Sequence, residues 1–159
     1  MNKKKVIALN KEMVALKQLS LSQQSHIRSE VFPLVVTTEG ISITKYLADN
    51  QNEIDDLLRA HKGILFRNSG INTVQDFHDA IEATSLDGMD YLGGAAVRTQ
   101  LTSRVFTANE SPASEKIPFH HEMSQVPSPP THLFFYCEAP PETGGKLGLF
   151  VAIDSYWLP

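Results

Sequence analysis

Two side chains that commonly bind metals stand two residues apart in the segment IPFHHEM, residues 117–123. On an extended strand, side chains at positions i and i+2 point to the same face. The sequence therefore predicts that His120 and Glu122 converge on one point while His121 faces away. An imidazole and a carboxylate on one strand are two thirds of the 2-His-1-carboxylate triad that holds non-haem Fe(II) and leaves coordination positions open. The third ligand would be a second histidine from elsewhere.

The pair is weak evidence when it is taken alone. With 18 acidic residues and six histidines among 159 residues, a chance pair of this kind is unremarkable. Among the other histidines, His132 precedes an apolar run and is the alternative metal ligand, although a strand-edge histidine is the simpler interpretation. His121 is expected to pack or to support the site. Three more are expected at the surface: His26, His61 and His78.

Four polar residues are weaker candidates around the predicted site. Arg98 and Arg104 could pair with a carboxylate substrate, because the guanidinium offers a two-pronged donor. Asn109 could line the substrate side, and Gln125 could hydrogen-bond a metal ligand. The simpler alternatives are surface arginines and turn residues, and the sequence alone leaves both interpretations open.

The composition is that of an ordinary globular protein, with 42% hydrophobic and 20% charged residues in a length that suits one domain. A formal net charge of -4 gives no electrostatic case for nucleic acid or an anionic membrane as partner. The single cysteine, Cys137, excludes an internal disulfide and suits a reducing compartment. No run of residues is apolar enough to span a membrane or to form a signal peptide. These features predict a soluble, cytoplasmic protein.

The first half of the chain contains patterns typical of helices and of short strands. Residues 1–30 are predicted to be an N-terminal arm, mobile or briefly helical, because its apolar residues are spaced by three and four. Residues 32–36 are predicted to be extended, 42–60 to be one helix and 63–67 to be a buried strand. Thr73 is expected to cap a further helix.

The second half is predicted to consist mainly of strands. Residues 99–107 alternate loosely and indicate a strand or an ordered loop. The aromatic run 133–137 is typical of a fully buried strand, and 147–153 could be a last one. Helices followed by strands predict an α+β fold with a barrel or jelly-roll sheet.

Several separate blocks of sequence occur together in a recognisable order. They are GGAAVRT (93–99), RVFTANESP (104–112), the metal segment with its continuation to Gln125, LFFYCE (133–138) and the Gly144-Gly145 turn. In this order they resemble the TauD/TfdA family, and most closely its plant-type, clavaminate-synthase-like members. The resemblance covers roughly residues 30 to 145.

The resemblance implies a double-stranded β-helix, or jelly roll, with N-terminal helices. It also implies a dioxygenase, an oxidoreductase that uses iron as Fe(II) and 2-oxoglutarate as co-substrate to oxidise a small molecule. His120 matches the family's first iron histidine, and Glu122 matches its iron carboxylate, which many relatives replace with aspartate. The domain would run from residue 31 to 159.

The chain departs from the family pattern after the Gly144-Gly145 turn. The family's distal histidine and its 2-oxoglutarate-binding arginine have no counterparts here, and Leu147 stands where a threonine is usual. The tail 146–159 diverges, so the domain is expected to be incomplete at its C-terminus. We therefore expect this form to be inactive or weakly active. The alternative is a non-catalytic, shortened isoform that binds metal, or that binds a partner through open sheet edges.

Overall fold

The computed structural model describes residues 16–38, 40–89, 91, 97–108, 110, 112, 114–144 and 148–149. Among them are five strands and three helices: β1 (Lys17–Leu19), β2 (Ser25–Ile27), β3 (Glu30–Phe32), β4 (Leu34–Thr37), α1 (Ile43–Asp49), α2 (Gln51–His61), β5 (Ile64–Arg67) and α3 (Val74–Glu82). The chain divides into two compact units: Met1–Ile43 with Asn52–Gly70, and Thr44–Gln51 with Ile71–Pro159.

The first unit is built on a three-stranded sheet in the order β1-β4-β5. The antiparallel strand β1 sets Lys17 opposite Thr37, and the parallel strand β5 sets Ile64 opposite Leu34. β4 is therefore central, and all four of its residues are buried. A central strand that is covered on both faces has a continuous run of apolar residues. Residues 32–36 have such a run, and the extended segment predicted there is confirmed. β5 also lies where a strand was predicted, but it is half-buried.

The N-terminal segment of the first unit is more ordered than its sequence suggested. Residues 16–32 contain β1 and the antiparallel β2–β3 hairpin where a helix or mobile arm was predicted. Pairing with a buried neighbour outweighs the weak helical spacing; residues 1–15 lie outside the described residues.

His61 is not a surface residue, because its Nδ1 donates to the Val31 carbonyl oxygen at 2.8 Å and only 12% of its side chain is exposed. His26 is exposed, as expected. A domain boundary at residue 31 stays a prediction.

The single helix predicted over 42–60 is two helices that meet at Asn50. Both the backbone nitrogen and the side-chain Nδ2 of Asn50 donate to the Tyr46 carbonyl oxygen, at 3.0 and 2.9 Å. Asparagine side chains compete with the backbone for hydrogen bonds in this way, which favours helix ends. The apolar spacing across the break was continuous, so periodicity alone could not reveal it.

α3 begins where the sequence predicted, at a capping box formed by Thr73 and Asp76. Thr73 Oγ1 accepts from the Asp76 backbone nitrogen at 3.1 Å, and Asp76 Oδ2 accepts from the Thr73 backbone nitrogen at 3.0 Å. A backbone hydrogen bond from Asn72 and the Thr73 side chain hold the pKa of Asp76 below its usual value. The helix buries Ala80 and Ile81.

Replacing Thr73 with alanine is expected to lower the free energy of unfolding by about 1 kcal/mol, because one of the unpaired N-terminal amides of α3 loses its acceptor. Urea denaturation followed by circular dichroism measures this loss. The Thr73→Ser variant keeps the hydroxyl and should unfold like the wild type. Equal losses in both variants would contradict the capping role.

The second unit contains fewer strands than predicted. The part of it that the structure describes has no strand, only an isolated antiparallel bridge between Gln100 and Phe106. The run 133–137 is not a buried strand, since Phe135 is 57% exposed. A strand needs a neighbour for its backbone hydrogen bonds and a layer over its apolar face, and the described residues supply neither here. Most of the strand expected at 147–153 lies outside the described residues.

Helices and strands are both present, so the mixed α+β content is confirmed, but the described strands lie in the first half of the chain and not in the second. None of the helices in the described part is long and apolar enough to cross a membrane.

Candidate metal site

His120 lies in an irregular segment of the second unit and is oriented by a backbone carbonyl. Its Nδ1 is 2.8 Å from the Pro118 carbonyl oxygen. A carbonyl oxygen can only accept, so Nδ1 carries a hydrogen, and the neutral form of this ring has its lone pair on Nε2. This is the arrangement in which histidine binds a metal through Nε2 while a second contact fixes the ring.

Glu122 directs its two carboxylate oxygens to different partners. Oε2 lies 3.7 Å from His120 Nε2, and Oε1 accepts a hydrogen bond from Arg98 Nη2 at 2.8 Å. Two ligand atoms at right angles around one metal are about 3 Å apart when each bond is about 2.1 Å. The observed separation is slightly wider, so a small side-chain movement would let both atoms bind one ion.

A turn, and not a strand, brings these two side chains together. The turn begins at Glu122, and Met123 follows in the left-handed backbone region with a φ of 53°. Met123 is buried, with 6% of its surface exposed, and its carbonyl oxygen accepts from Val126 at 3.1 Å. The buried methionine anchors the turn. The predicted convergence of His120 and Glu122 is therefore seen, but the predicted strand is not.

Arg98 is the residue that contacts the candidate metal carboxylate. Its guanidinium also stacks on Tyr91, with the Arg98 Cζ 4.6 Å from the ring centroid. Only 17% of the side chain is exposed, and its Nε is buried without a hydrogen-bond acceptor among the described residues. The sequence singled out Arg98 as a substrate-binding candidate. It gave no sign of the contacts with Glu122, 24 positions away, or with Tyr91.

No third ligand joins the pair in the part of the chain that the structure describes. Within that part, no three histidine, cysteine, aspartate or glutamate side chains are grouped closely enough to hold a metal ion. His132 therefore does not complete the site there, and its Nδ1 lies 3.0 Å from Thr131 Oγ1. His121 is exposed.

The remaining candidates lie in different surroundings. Arg104 donates to Glu82 Oε1 at 3.0 Å and to the Leu86 carbonyl oxygen at 2.7 Å, which ties its loop to the end of α3. Gln125 is exposed in the turn that begins at Glu122. Asn109 lies outside the described residues. Substrate or ligand contacts of these three residues stay predictions.

The loop that contains Arg104 is also attached to α3 through a histidine. His78, predicted at the surface, is half-buried, and its Nδ1 forms a hydrogen bond with Thr102 Oγ1 at 3.0 Å. The same Oγ1 accepts from the Val105 backbone nitrogen at 3.1 Å. Because these partners are distant in sequence, residue type alone did not indicate them.

The Glu110 carboxylate joins two parts of the same loop by hydrogen bonds, next to Arg98. Glu110 Oε1 accepts from the Thr99 backbone nitrogen at 2.9 Å, from Thr99 Oγ1 at 2.7 Å and from Thr107 Oγ1 at 2.8 Å. Hydrogen bonds from the Thr99 and Thr107 side chains stabilise the charged carboxylate and lower the pKa of Glu110 from its usual value of 4.5. The residue next to Arg98 is thus held in place.

This lowered pKa predicts a pH-dependent contribution to stability. Because the folded state favours charged Glu110, its contribution is complete above the unfolded pKa and is lost as the pH falls through the lower folded pKa. The Glu110→Gln variant should therefore unfold more readily than the wild type at pH 7, and the difference should shrink at pH 3. Urea denaturation at both values measures it. A difference that is the same at both pH values would contradict the argument.

The chain is similar to a known protein family and to known proteins over most of its length. A profile of the family described as "Taurine catabolism dioxygenase TauD, TfdA family" matches residues 28–148. A clavaminate synthase-like protein of Arabidopsis thaliana is 43% identical over 141 residues, which are 82% of this chain and 43% of that protein. The dapdiamide synthesis protein DdaC of Enterobacter agglomerans is 25% identical over 113 residues, which are 71% of this chain and 34% of DdaC.

The chain therefore belongs to the TauD/TfdA family of dioxygenases, as its motifs indicated. The matched region includes both candidate ligands and Arg98. The chain spans less than half the length of these two curated relatives.

Proposed function

We propose that this chain carries the iron-binding turn of an Fe(II)- and 2-oxoglutarate-dependent dioxygenase that oxidises a small molecule. The observation that supports the proposal is the 3.7 Å approach of His120 Nε2 to Glu122 Oε2 in a member of this family. A neutral imidazole and a carboxylate are the ligand types of the non-haem Fe(II) triad. The same proposal includes the jelly-roll fold that the family implies.

The residues of the turn have separable functions in this proposal. Bound Fe(II) would supply the redox chemistry between O2 and 2-oxoglutarate. His120 would offer its Nε2, because its Nδ1 donates to the Pro118 carbonyl oxygen. Glu122 offers one negative charge, and its remaining oxygen stays on Arg98.

We further propose that this chain, by itself, is inactive or weakly active. All six histidines lie among the described residues, and no histidine other than His120 itself forms a three-residue cluster with His120 and Glu122. Two protein ligands hold a metal less firmly than three, and the open positions would be filled by water. Free imidazole should partly replace the missing ligand.

Anaerobic calorimetry with Fe(II), and with Mn(II) as an air-stable substitute, tests metal binding by the purified chain. We expect weak binding at one site that strengthens when imidazole is added, and little succinate formation from 2-oxoglutarate. Absence of any metal binding would overturn the iron site. Rapid succinate formation would overturn the proposed inactivity but support the dioxygenase.

A non-catalytic, partner-binding function is the second candidate, and a specific observation favours it. Large apolar side chains of the second unit are exposed, among them Phe119 at 71% and Leu133 at 52%. Where such side chains form one contiguous patch, they mark an interaction surface. Sedimentation velocity of the chain with and without the Leu133→Ser and Phe135→Ser changes tests whether a second copy of this chain is the partner. A monomer in every case would argue against self-association.

A further inference from the structure

We propose that Arg98 is a positioning residue that presents a single oxygen of Glu122 to the metal. The inference rests on the proposed iron site and extends it to a residue outside the ligand set. Arg98 Nη2 holds Oε1 at 2.8 Å, which leaves Oε2 on the side of His120 Nε2. The guanidinium thus decides which oxygen is available and where it points.

The position of Arg98 is itself fixed from two sides. Its guanidinium lies on the ring of Tyr91, which in turn contacts Phe106 with ring centroids 6.0 Å apart. The next residue, Thr99, is held by Glu110 through both its backbone nitrogen and its hydroxyl. An arginine held by stacking and by its neighbouring backbone loses little further freedom when it orients a carboxylate.

Holding one oxygen has a chemical consequence for the metal. A free glutamate can bind with both oxygens or swing away, whereas a carboxylate with one oxygen engaged by arginine binds through the other. Binding through one oxygen leaves more coordination positions for small ligands. A metal held by His120 and one oxygen of Glu122 would therefore keep positions open for small ligands.

The positive charge of Arg98 acts in the opposite direction from its positioning effect. A cation near the metal repels it, so charge alone would make removal of Arg98 strengthen metal binding. Positioning alone would make the same removal weaken binding. These two effects have opposite signs, so a metal affinity measurement can separate them.

The test measures Mn(II) and Co(II) binding by the whole chain carrying Arg98→Lys or Arg98→Gln. Lysine keeps the charge but loses the planar fork and the stacking on Tyr91. We expect Arg98→Lys to bind about tenfold more weakly, as supporting partners of metal ligands typically show. Arg98→Gln should be weakened less, because loss of the repelling charge offsets part of the effect, and the Co(II) absorption spectrum should change in both variants. If charge is the only effect, Arg98→Lys will match the wild type and Arg98→Gln will bind more tightly, which overturns the proposal.

Arg59→Gln is the control, because Arg59 also pairs with a carboxylate, Asp56 at 3.3 Å, but lies exposed on α2. It should change neither the metal affinity nor the Co(II) spectrum. Thermal melting shows whether each variant is folded at the binding temperature. If the wild type binds no metal, the iron site fails and the inference with it. If all variants bind like the wild type, only the inference about Arg98 fails.

Discussion

Replacement of Glu122 by glutamine is expected to weaken Fe(II) or Mn(II) binding by about a hundredfold or more, since even supporting partners of metal ligands cost 10- to 100-fold. The change removes the only negative charge that the described residues place beside His120 Nε2. A neutral amide oxygen is a poorer donor to a divalent cation and also binds Arg98 less strongly. Anaerobic calorimetry and Mn(II) paramagnetic resonance both measure the loss.

The same change also affects stability, which has to be separated from metal binding. Arg98 and Glu122 are only 17% and 18% exposed, so the glutamine variant leaves a largely buried guanidinium without its counter-charge. Breaking such a pair costs about 1 to 3 kcal/mol at partial burial. Glu122→Asp keeps the charge with a shorter side chain and should retain part of the affinity. Glu138→Gln, an exposed carboxylate, should change neither quantity.

A second, independent variant tests the same pair from the histidine side. His120→Ala removes the nitrogen donor, whereas His121→Ala removes an exposed ring one position along the chain. The first should lose metal binding to a similar extent as Glu122→Gln, and the second should resemble the wild type. Equal losses from both histidines, or a loss from His121 alone, would place the metal elsewhere.

The spacing of His120 and Glu122 correctly predicted their convergence although the local structure is different. Side chains two residues apart can meet on a strand, and here they meet across the start of a tight turn. Local spacing therefore indicated the pair without determining the backbone. The contact of Arg98 with Glu122 depends on two segments folding together, and nothing in either segment alone encodes it.

The fold shows the same division between local and long-range signals. Thr73 caps α3 as predicted, because all the atoms of the cap come from one short stretch of sequence. Phe135 belongs to an aromatic run typical of a buried strand, yet it is exposed. A strand of this kind depends on a partner and a facing layer, which the run itself does not contain. Val35 lies on β4 and has partner strands on both sides, β1 and β5, and its segment is extended as predicted.

Leu34→Ala is expected to be among the most destabilising single changes in the first unit. Leu34 lies at the start of the central strand with 4% of its surface exposed, and its backbone nitrogen donates to the Gly63 carbonyl oxygen at 2.9 Å. Truncating a buried leucine costs about 3 kcal/mol, from lost transfer energy and the cavity left behind. That is a large part of the total of about 5 to 15 kcal/mol that stabilises a typical domain.

The expected loss for Leu34→Ala corresponds to a fall in melting temperature of about 6 to 12 °C for a chain of this size. Circular dichroism can follow the melting transition, and the backbone hydrogen bond to Gly63 is unaffected because the change is confined to the side chain. Leu133→Ala removes the same atoms from a residue that is 52% exposed, so it should shift the transition little. Similar shifts for both leucines would mean that β4 is not the buried centre of the first unit. A large fall for Leu34 alone would show that burial at this strand, and not the leucine side chain as such, provides the stability.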